Sequence, residues 1–388
     1  MMTSTSAFIT VILTFAIRIL HMPLFDHAPC RKNSDSHKWQ KYAGSDIIPA
    51  WVADTDFPAP PPVLDALAAR LRHGVFGYAD IPRGMPEVIC DYFWRRWHWR
   101  ISPPDLFFLP GLGAAIHIVC RMAASGDILT PSPVYHVFRR APAIAKARRV
   151  DIRMMKDDGG VWRLSTGHLR EKAAGRQARL FQLCNPHNPN GKIYERDELL
   201  DIAAFCEERD LLICADEVHA DLILDEDKKH LPIASLDESI ARRVITLQSP
   251  SKAFNIAGLN FAVAVVPEVL RAQFLRAAAG KVITHLNPFG LAAANAAWSG
   301  ECDEWLQKSN AHLRANRDKL SAAVKKIPGI TMPHLPATYL AWLNVGAMGL
   351  KDAPRHFESF GIGMSPGADF GDADYMRLNF GCTPEVLD

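Results

Sequence analysis

Residues 211–222 read LLICADEVHADL: an apolar run, then Asp216, Glu217, His219 and Asp221 within six positions. A short continuous apolar run bounded by polar residues is the pattern of a buried strand. Asp216 stands at its carboxyl end, where a buried carboxylate needs a partner. Working outward, similar runs recur at Leu106–Leu109, Asp127–Thr130, Arg149–Met154, Leu180–Cys184, Val244–Gln248 and Phe261–Val266. Amphipathic stretches lie between several of them. In ERDELLDIAAFCEERD at 195–210, Leu199, Ile202, Ala203 and Phe205 recur at helical spacing. Such alternation predicts an α/β fold with a mostly parallel sheet covered on both faces. Ligands of open α/β sheets bind beyond the carboxyl ends of the strands, which is where the polar clusters fall.

The bulk numbers allow a large core and exclude some partners. Of 388 residues, 48% are hydrophobic and 22% charged, enough for two domains. The 44 basic and 42 acidic residues leave a formal charge of +2, so neither nucleic acid nor an anionic membrane is called for. The eight cysteines form no C-x-x-C pair and mostly sit in apolar runs, so they read as buried free thiols of a reducing, cytoplasmic compartment. No metal-ligand spacing is present, and no metal is expected. Residues 7–20, AFITVILTFAIRIL, are too short and too interrupted by Arg18 for a comfortable span. Residues 1–21 are therefore expected to be a non-core extension from an over-read start, with a membrane anchor as the alternative. The tail from about 287 holds a long helical stretch at 301–327 and short strands near Tyr339–Leu343 and Tyr375–Asn379, the pattern of a smaller α+β domain.

Four segments carry chemistry. SPSKAFNIAG at 249–258 places Lys252 beside Ser249 and Ser251, hydroxyls suited to a phosphate. A lysine acting as a Schiff-base nucleophile needs a partly desolvated place; a loop lysine on the surface is the plainer reading. Asp216 in ADEVH suits a protonated pyridine nitrogen, and equally a helix cap or a core ion pair. NPHNPNGKIY at 185–194 is a rigid loop whose Asn amides could donate to a phenolic oxygen, or simply make a turn. Arg377 in MRLNFG at 376–381 suits a bidentate carboxylate, or a buried structural ion pair.

In this order the four segments resemble the fold-type I pyridoxal-phosphate enzymes of the class I/II aminotransferase superfamily. KWQKY at 38–42, PAWVADTDF at 49–57, HGVFGYADIP at 73–82, PSPVYHVF at 131–138 and PATYLAWLNV at 336–345 narrow the resemblance to the cystathionine β-lyase-like C–S lyases. It runs from about Met22 to the C-terminus. It implies a large domain with a mostly parallel, mixed seven-stranded sheet flanked by helices at 73–286 and a smaller α+β domain at 287–388. Residues 22–72 would contribute to the small domain and the substrate pocket. Pyridoxal 5′-phosphate would be the cofactor, carried by Lys252, which would also move the Cα proton. Asp216 would pair with the pyridine nitrogen, Tyr135 would stack on the ring, and Asn188 would hydrogen-bond the phenolic oxygen with His219 nearby. Ser249, Ser251 and the backbone of Leu112 and Gly113 would hold the phosphate, and Tyr78 would reach the phosphate of a neighbouring subunit. That implies a homodimer with shared active sites. Arg377 would bind the α-carboxylate of a small amino-acid substrate, and Trp51, Val52 and Ala53 would line the pocket.

The implied reaction is β-elimination from cystathionine or another L-cysteine S-conjugate, giving pyruvate, ammonia and a thiol. An aminotransferase is the alternative, with the same residues. A pyridoxal-phosphate-binding regulatory protein is a distant third, since no helix-turn-helix segment or basic extension is present. The sequence departs from the resemblance in four places, one of them LPGLGAAIH at 109–117, where Gly113 and small alanines stand in place of bulkier residues. Asn190 stands where Thr is usual, Asn260 where many aminotransferases have an Arg, and TPEVLD ends the chain where relatives continue into a last helix. The short ending leads us to expect weaker packing of the small domain.

Overall fold

The computed structural model describes residues 25–279 and 285–388, so the expected extension at 1–21 lies outside the described residues. Seven strands form the large sheet: β1 Leu106–Leu109, β2 Asp127–Ser132, β3 Arg148–Arg153, β4 Ala178–Cys184, β5 Leu212–Asp216, β6 Val244–Gln248 and β7 Ala262–Val265. Their spatial order is β1-β7-β6-β5-β4-β2-β3. The pairs from β6 across to β3 are parallel, and β7 runs antiparallel to both β1 and β6. The mixed, mostly parallel sheet expected from the sequence is present.

Both faces are covered, which is why the inner strands are largely apolar, while the edge strand β3 alternates, with Val150 and Ile152 buried. Phe181, Leu183, Ile213, Ala215 and Val263 join one core cluster; Leu180, Cys184, Cys214, Ile245 and Ala264 join the other. The second cluster is completed by α1 Leu112–Met122 and α2 His136–Ile144. The predicted helix appears as α3 Arg196–Glu208, whose Leu199, Ile202 and Phe205 are buried in the first cluster. One polar side chain on the sheet is fully provided for: Gln182 accepts from Thr130 at 2.7 Å and donates to Cys120 Sγ at 3.3 Å.

The chain then forms α4 Pro288–Trp298 and the 22-residue α5 Asp303–Val324. A small sheet follows, with β8 Leu340–Asn344, β9 Ser365–Pro366 and β10 Tyr375–Asn379. Its centre is β10, antiparallel to both neighbours, and its register sets Arg377 between Trp342 and Ser365. The N-terminal segment joins this sheet's neighbourhood. Ile48–Pro49 pairs in parallel with Ile362–Gly363, Asn379 donates its N–H to Ala50 O, and Asp56 donates its N–H to Gly381 O. Six cysteines are buried and Cys90 is half-buried, as expected, but Cys30 is exposed, and all eight are free. No helix among the described residues is long and apolar enough to cross a membrane, and no cluster of metal-ligating side chains occurs among them.

Candidate active site

The register of the large sheet brings the polar clusters together. Cys184 lies opposite Asp216, and Asp216 opposite Leu247, so β4, β5 and β6 end side by side. The loops that follow carry Asn188, His219 and Lys252. From the same edge, β1 leads into Pro110–Gly113 at the start of α1, and β2 leads into Tyr135 at the start of α2. Gly111 makes the turn into α1 at φ +109°, a conformation that L side chains rarely adopt. These loops, Arg377 on β10 and residues 51–53 enclose a cavity of about 470 Å³.

Twelve of the fourteen residues expected at the site line this cavity: Trp51, Val52, Ala53, Leu112, Gly113, Tyr135, Asn188, Asp216, His219, Ser251, Lys252 and Arg377. Ser249 does not. It is buried, its hydroxyl donates to Phe261 O at 2.6 Å, and it accepts from the Ser251 N–H at 3.2 Å. Tyr78 does not either. It is 90% exposed and its ring rests 4.6 Å from that of His285.

The charged groups are under-partnered for their burial. Asp216 is 2% exposed, and among the described residues the one hydrogen bond to its carboxylate comes from the Val218 N–H at 3.2 Å. Burial pushes its pKa up to about 7. Lys252 donates to Ala53 O at 2.8 Å and has no carboxylate partner among the described residues. Burial, helped by the nearby Arg377 charge, lowers it to about 8. Burial holds His219 down at about 3, with Lys252 and Arg377 adding to the effect, so its imidazole is neutral. Its Nδ1 is buried without a partner.

Arg377 reads the surrounding backbone. It donates to Asn188 Oδ1 at 3.0 Å and to Trp51 O at 2.8 Å, and its guanidinium lies 4.5 Å from the centre of the Phe370 ring. Burial lowers it to about 10, and its Nε is buried without a partner. A guanidinium only donates, so Asn188 must present its oxygen to Arg377, which turns its NH₂ group elsewhere.

Several functional positions escaped the sequence reading. Residues 51–57 form a strap over Lys252, held at nearly every carbonyl. Asn379 donates to Val52 O and Asp54 O, each at 2.6 Å. Tyr339 donates to Ala53 O at 3.1 Å. Ser365 donates to Trp51 O at 2.7 Å. Asn255 donates to Thr55 O at 3.0 Å and Phe57 O at 2.7 Å, and accepts from the Thr55 N–H. Asn255, Tyr339 and Asn379 stood inside the quoted motifs, so a signal was there without a role attached. His136, which also stood inside a quoted motif, lines the cavity, as do Ser365, Asp369 and Phe370, which carried no such signal.

The residues fit pyridoxal 5′-phosphate. A buried carboxylate without a cation partner among the described residues, a lysine of lowered pKa, a helix start at Leu112–Gly113 and an aromatic wall at Tyr135, all on one cavity, are the features that cofactor requires.

A sequence profile described as "Aminotransferase class I and II" matches residues 54–388. The chain is 32% identical over 380 residues to cystathionine beta-lyase PatB of Bacillus subtilis (strain 168), covering 94% of this chain and 96% of that protein. The crystal structure of OvoB superposes with a TM-score of 0.90 at 40% identity, covering 94% of this chain and 96% of the other. The PLP-bound C-S lyase from Staphylococcus hominis superposes with a TM-score of 0.86 at 26% identity, covering 94% and 95%.

Proposed function

We propose that this chain, which belongs to the aminotransferase class I and II family, is a pyridoxal-phosphate-dependent carbon–sulfur β-lyase that cleaves cystathionine or other L-cysteine S-conjugates. The observation that carries the reading is the convergence of Lys252, Asp216 and Arg377 on one cavity under the 51–57 strap. The likeness to lyases across nearly the whole chain supports the choice among family activities.

When bound, the cofactor supplies an electron-withdrawing ring conjugated to the substrate nitrogen, which makes the Cα–H acidic. Lys252 would hold the cofactor, and its Nζ would accept the Cα proton of the substrate. Its lowered pKa leaves a substantial fraction of the amine unprotonated near neutral pH. Asp216 holds the proton of the ring nitrogen, and that pairing removes the strain of an uncompensated buried carboxylate. Asn188 presents its NH₂ group to the phenolic oxygen, with the neutral His219 beside it. Tyr135 covers the ring. The Leu112 and Gly113 N–H groups and the Ser251 hydroxyl receive the phosphate. Arg377 exchanges its contact with Trp51 O for the substrate α-carboxylate, using its unpartnered Nε. The Cβ–S bond then breaks, the thiolate leaves, and water completes the reaction to pyruvate and ammonia. The exposed Tyr78 reaches the phosphate of a second copy in a homodimer.

Pyruvate release without added keto acid tests the reading. Cystathionine should give pyruvate, ammonia and thiol in equal amounts. Turnover that instead requires a keto acid and yields a new amino acid replaces the lyase with an aminotransferase.

A further inference from the structure

The proposed lyase reaction occupies Lys252, Asp216 and Arg377, and one charged side chain on the cavity wall remains unused: Asp369. It lies in the turn Gly367–Phe370, one residue before the ring that covers the Arg377 guanidinium. That turn is fixed against the segment that carries Tyr135 and His136. Val134 N–H donates to Phe370 O at 2.9 Å, and Arg139 Nη1 donates to the same oxygen at 3.1 Å. Gly371 permits the contact, since a Cβ there would fall 1.9 Å from Arg139 Nη1. Asp369 is thus held on the same wall as His136, next to the position of the substrate carboxylate, yet is itself exposed.

Of the neighbouring cations, Arg139 and Arg377 are engaged elsewhere, while Arg140 is exposed and its charge also reaches His136. Arg139 is engaged by Phe370 O, and Arg377 would be neutralised by the α-carboxylate. Among the described residues no nitrogen forms an ion pair with Asp369. His136 is held below its usual pKa by burial and by the Arg140 and Arg377 charges, with Asp369 opposing them. It therefore offers a neutral ring beside the carboxylate. The part of a cysteine conjugate with no residue yet facing it is the substituent on sulfur.

We propose that Asp369, beside His136, selects cysteine S-conjugates whose sulfur substituent carries a cationic group and disfavours those with an anionic one. This rests on the lyase reading for its substrate class but not for its charge order. An exposed pair contributes modestly, so the effect is a bias of about fivefold, weakened by salt. It acts on binding, so it falls on KM more than on kcat.

The test compares S-(2-aminoethyl)-, S-propyl- and S-carboxymethyl-L-cysteine, with pyruvate release measured for the wild-type holoenzyme, Asp369→Asn and Asp369→Lys. Taking ratios to the S-propyl compound within each protein cancels differences in cofactor loading. In Asp369→Asn the aminoethyl-to-propyl ratio of kcat/KM should fall about fivefold and the carboxymethyl-to-propyl ratio should rise. Asp369→Lys should invert the order. Ratios that stay within twofold across the three proteins overturn the proposal. In parallel, L-lysine, L-norleucine and L-2-aminoadipate, which have no Cβ–S bond, are titrated by tryptophan fluorescence, since Trp51 lines the cavity. If no conjugate releases pyruvate while lysine binds better than aminoadipate in an Asp369-dependent way, the lyase reading falls and the charge selection stands. A flat binding order sinks the selection whatever the reaction proves to be.

Discussion

Five residues apart on one loop, two buried aspartates are treated in opposite ways. Asp221 is satisfied: Tyr92 donates its hydroxyl to it at 2.8 Å, and Arg96 Nε donates at 3.0 Å. Asp216, buried as deeply, receives one backbone N–H. The histidines divide in the same way. His230 Nε2 meets Glu217 at 2.9 Å, while His219 has no carboxylate partner among the described residues; Nδ1 is unpartnered in both. Lysines repeat the contrast, since Lys192 lies 2.8 Å from both oxygens of Glu198 and Lys252 has only a carbonyl. A fold that can satisfy buried charge nearby and does not do so at Asp216 and Lys252 keeps those groups for something it does not itself supply.

Lys252→Ala breaks the site side of this contrast most severely. Turnover should fall by at least about 10⁴-fold, because both the cofactor's attachment and the proton acceptor are lost. The measurement is pyruvate release, with borohydride reduction and peptide mass mapping of the wild-type protein. A reduced cofactor found on any other lysine refutes the assignment. Lys192→Ala should leave pyruvate release by the folded protein within a few-fold, since its partner is structural.

Asp216 and Asp221 should separate activity from stability. Asp216→Ala should lower turnover by on the order of 10² to 10⁴, even with cofactor in excess. Asp221→Ala should instead destabilise the fold by about 3–5 kcal/mol, leaving Arg96 uncompensated, while the folded fraction keeps its turnover. In the cofactor-free protein the pH dependence carries a sign. The folded Asp216 is raised to about 7 from an unfolded value near 4, so the native state binds the extra proton between them. Its contribution is fully present below about pH 4 and is lost as pH rises through 7, by on the order of a few kcal/mol. Asp216→Asn should flatten that fall in urea unfolding curves. An unchanged slope would mean the carboxylate is not strained.

The strap tests the contrast more gently. Asn255→Ala removes both donors and the acceptor that pin Thr55 and Phe57. Unfolding free energy should drop by about 1–3 kcal/mol. KM should rise about tenfold because Trp51–Ala53 no longer hold their wall. A change in kcat alone, at constant KM, would argue against a positioning role.

How much of this was legible follows from the distance over which each feature is specified. The seven strands of the large sheet were readable to within two residues, because each is a local apolar run. Tyr375–Asn379 and Val244–Gln248 match residue for residue. Asp216, Asn188 and Lys252 were readable because each directly follows such a run. The two-residue strands at Ile48–Pro49 and Ser365–Pro366 have no period to detect. Ser365, Asp369 and Phe370 reach the cavity only through the packing of the small sheet against the large one, which no local pattern encodes. The Tyr78 expectation belongs to a second copy, and its exposure is what a single chain can record.

Ser249 and Ser251 make the finest division, and the smallest expected effect. From sequence both hydroxyls flanking Pro250 were candidates for the phosphate, Ser249 the first of them. In the fold they are not equivalent. Ser249 Oγ spends its proton on Phe261 O at 2.6 Å and receives the Ser251 N–H, which bends the chain so that Lys252 enters the cavity. Ser251 lines the cavity and Ser249 does not. A hydroxyl whose one donor is committed to a buried carbonyl cannot also donate to a phosphate without leaving that carbonyl unsatisfied. Ser251→Ala should therefore weaken cofactor affinity by about three- to tenfold, the net worth of one typical hydrogen bond. Ser249→Ala should change cofactor affinity less than threefold and show itself instead as a loss of about 1–2 kcal/mol in unfolding free energy, from the orphaned Phe261 carbonyl. Both constants come from equilibrium titration of the cofactor-free protein. If Ser249→Ala weakens cofactor binding as much as Ser251→Ala does, its hydroxyl must turn to the phosphate on loading, and the sequence would have been the better guide to that residue than the fold.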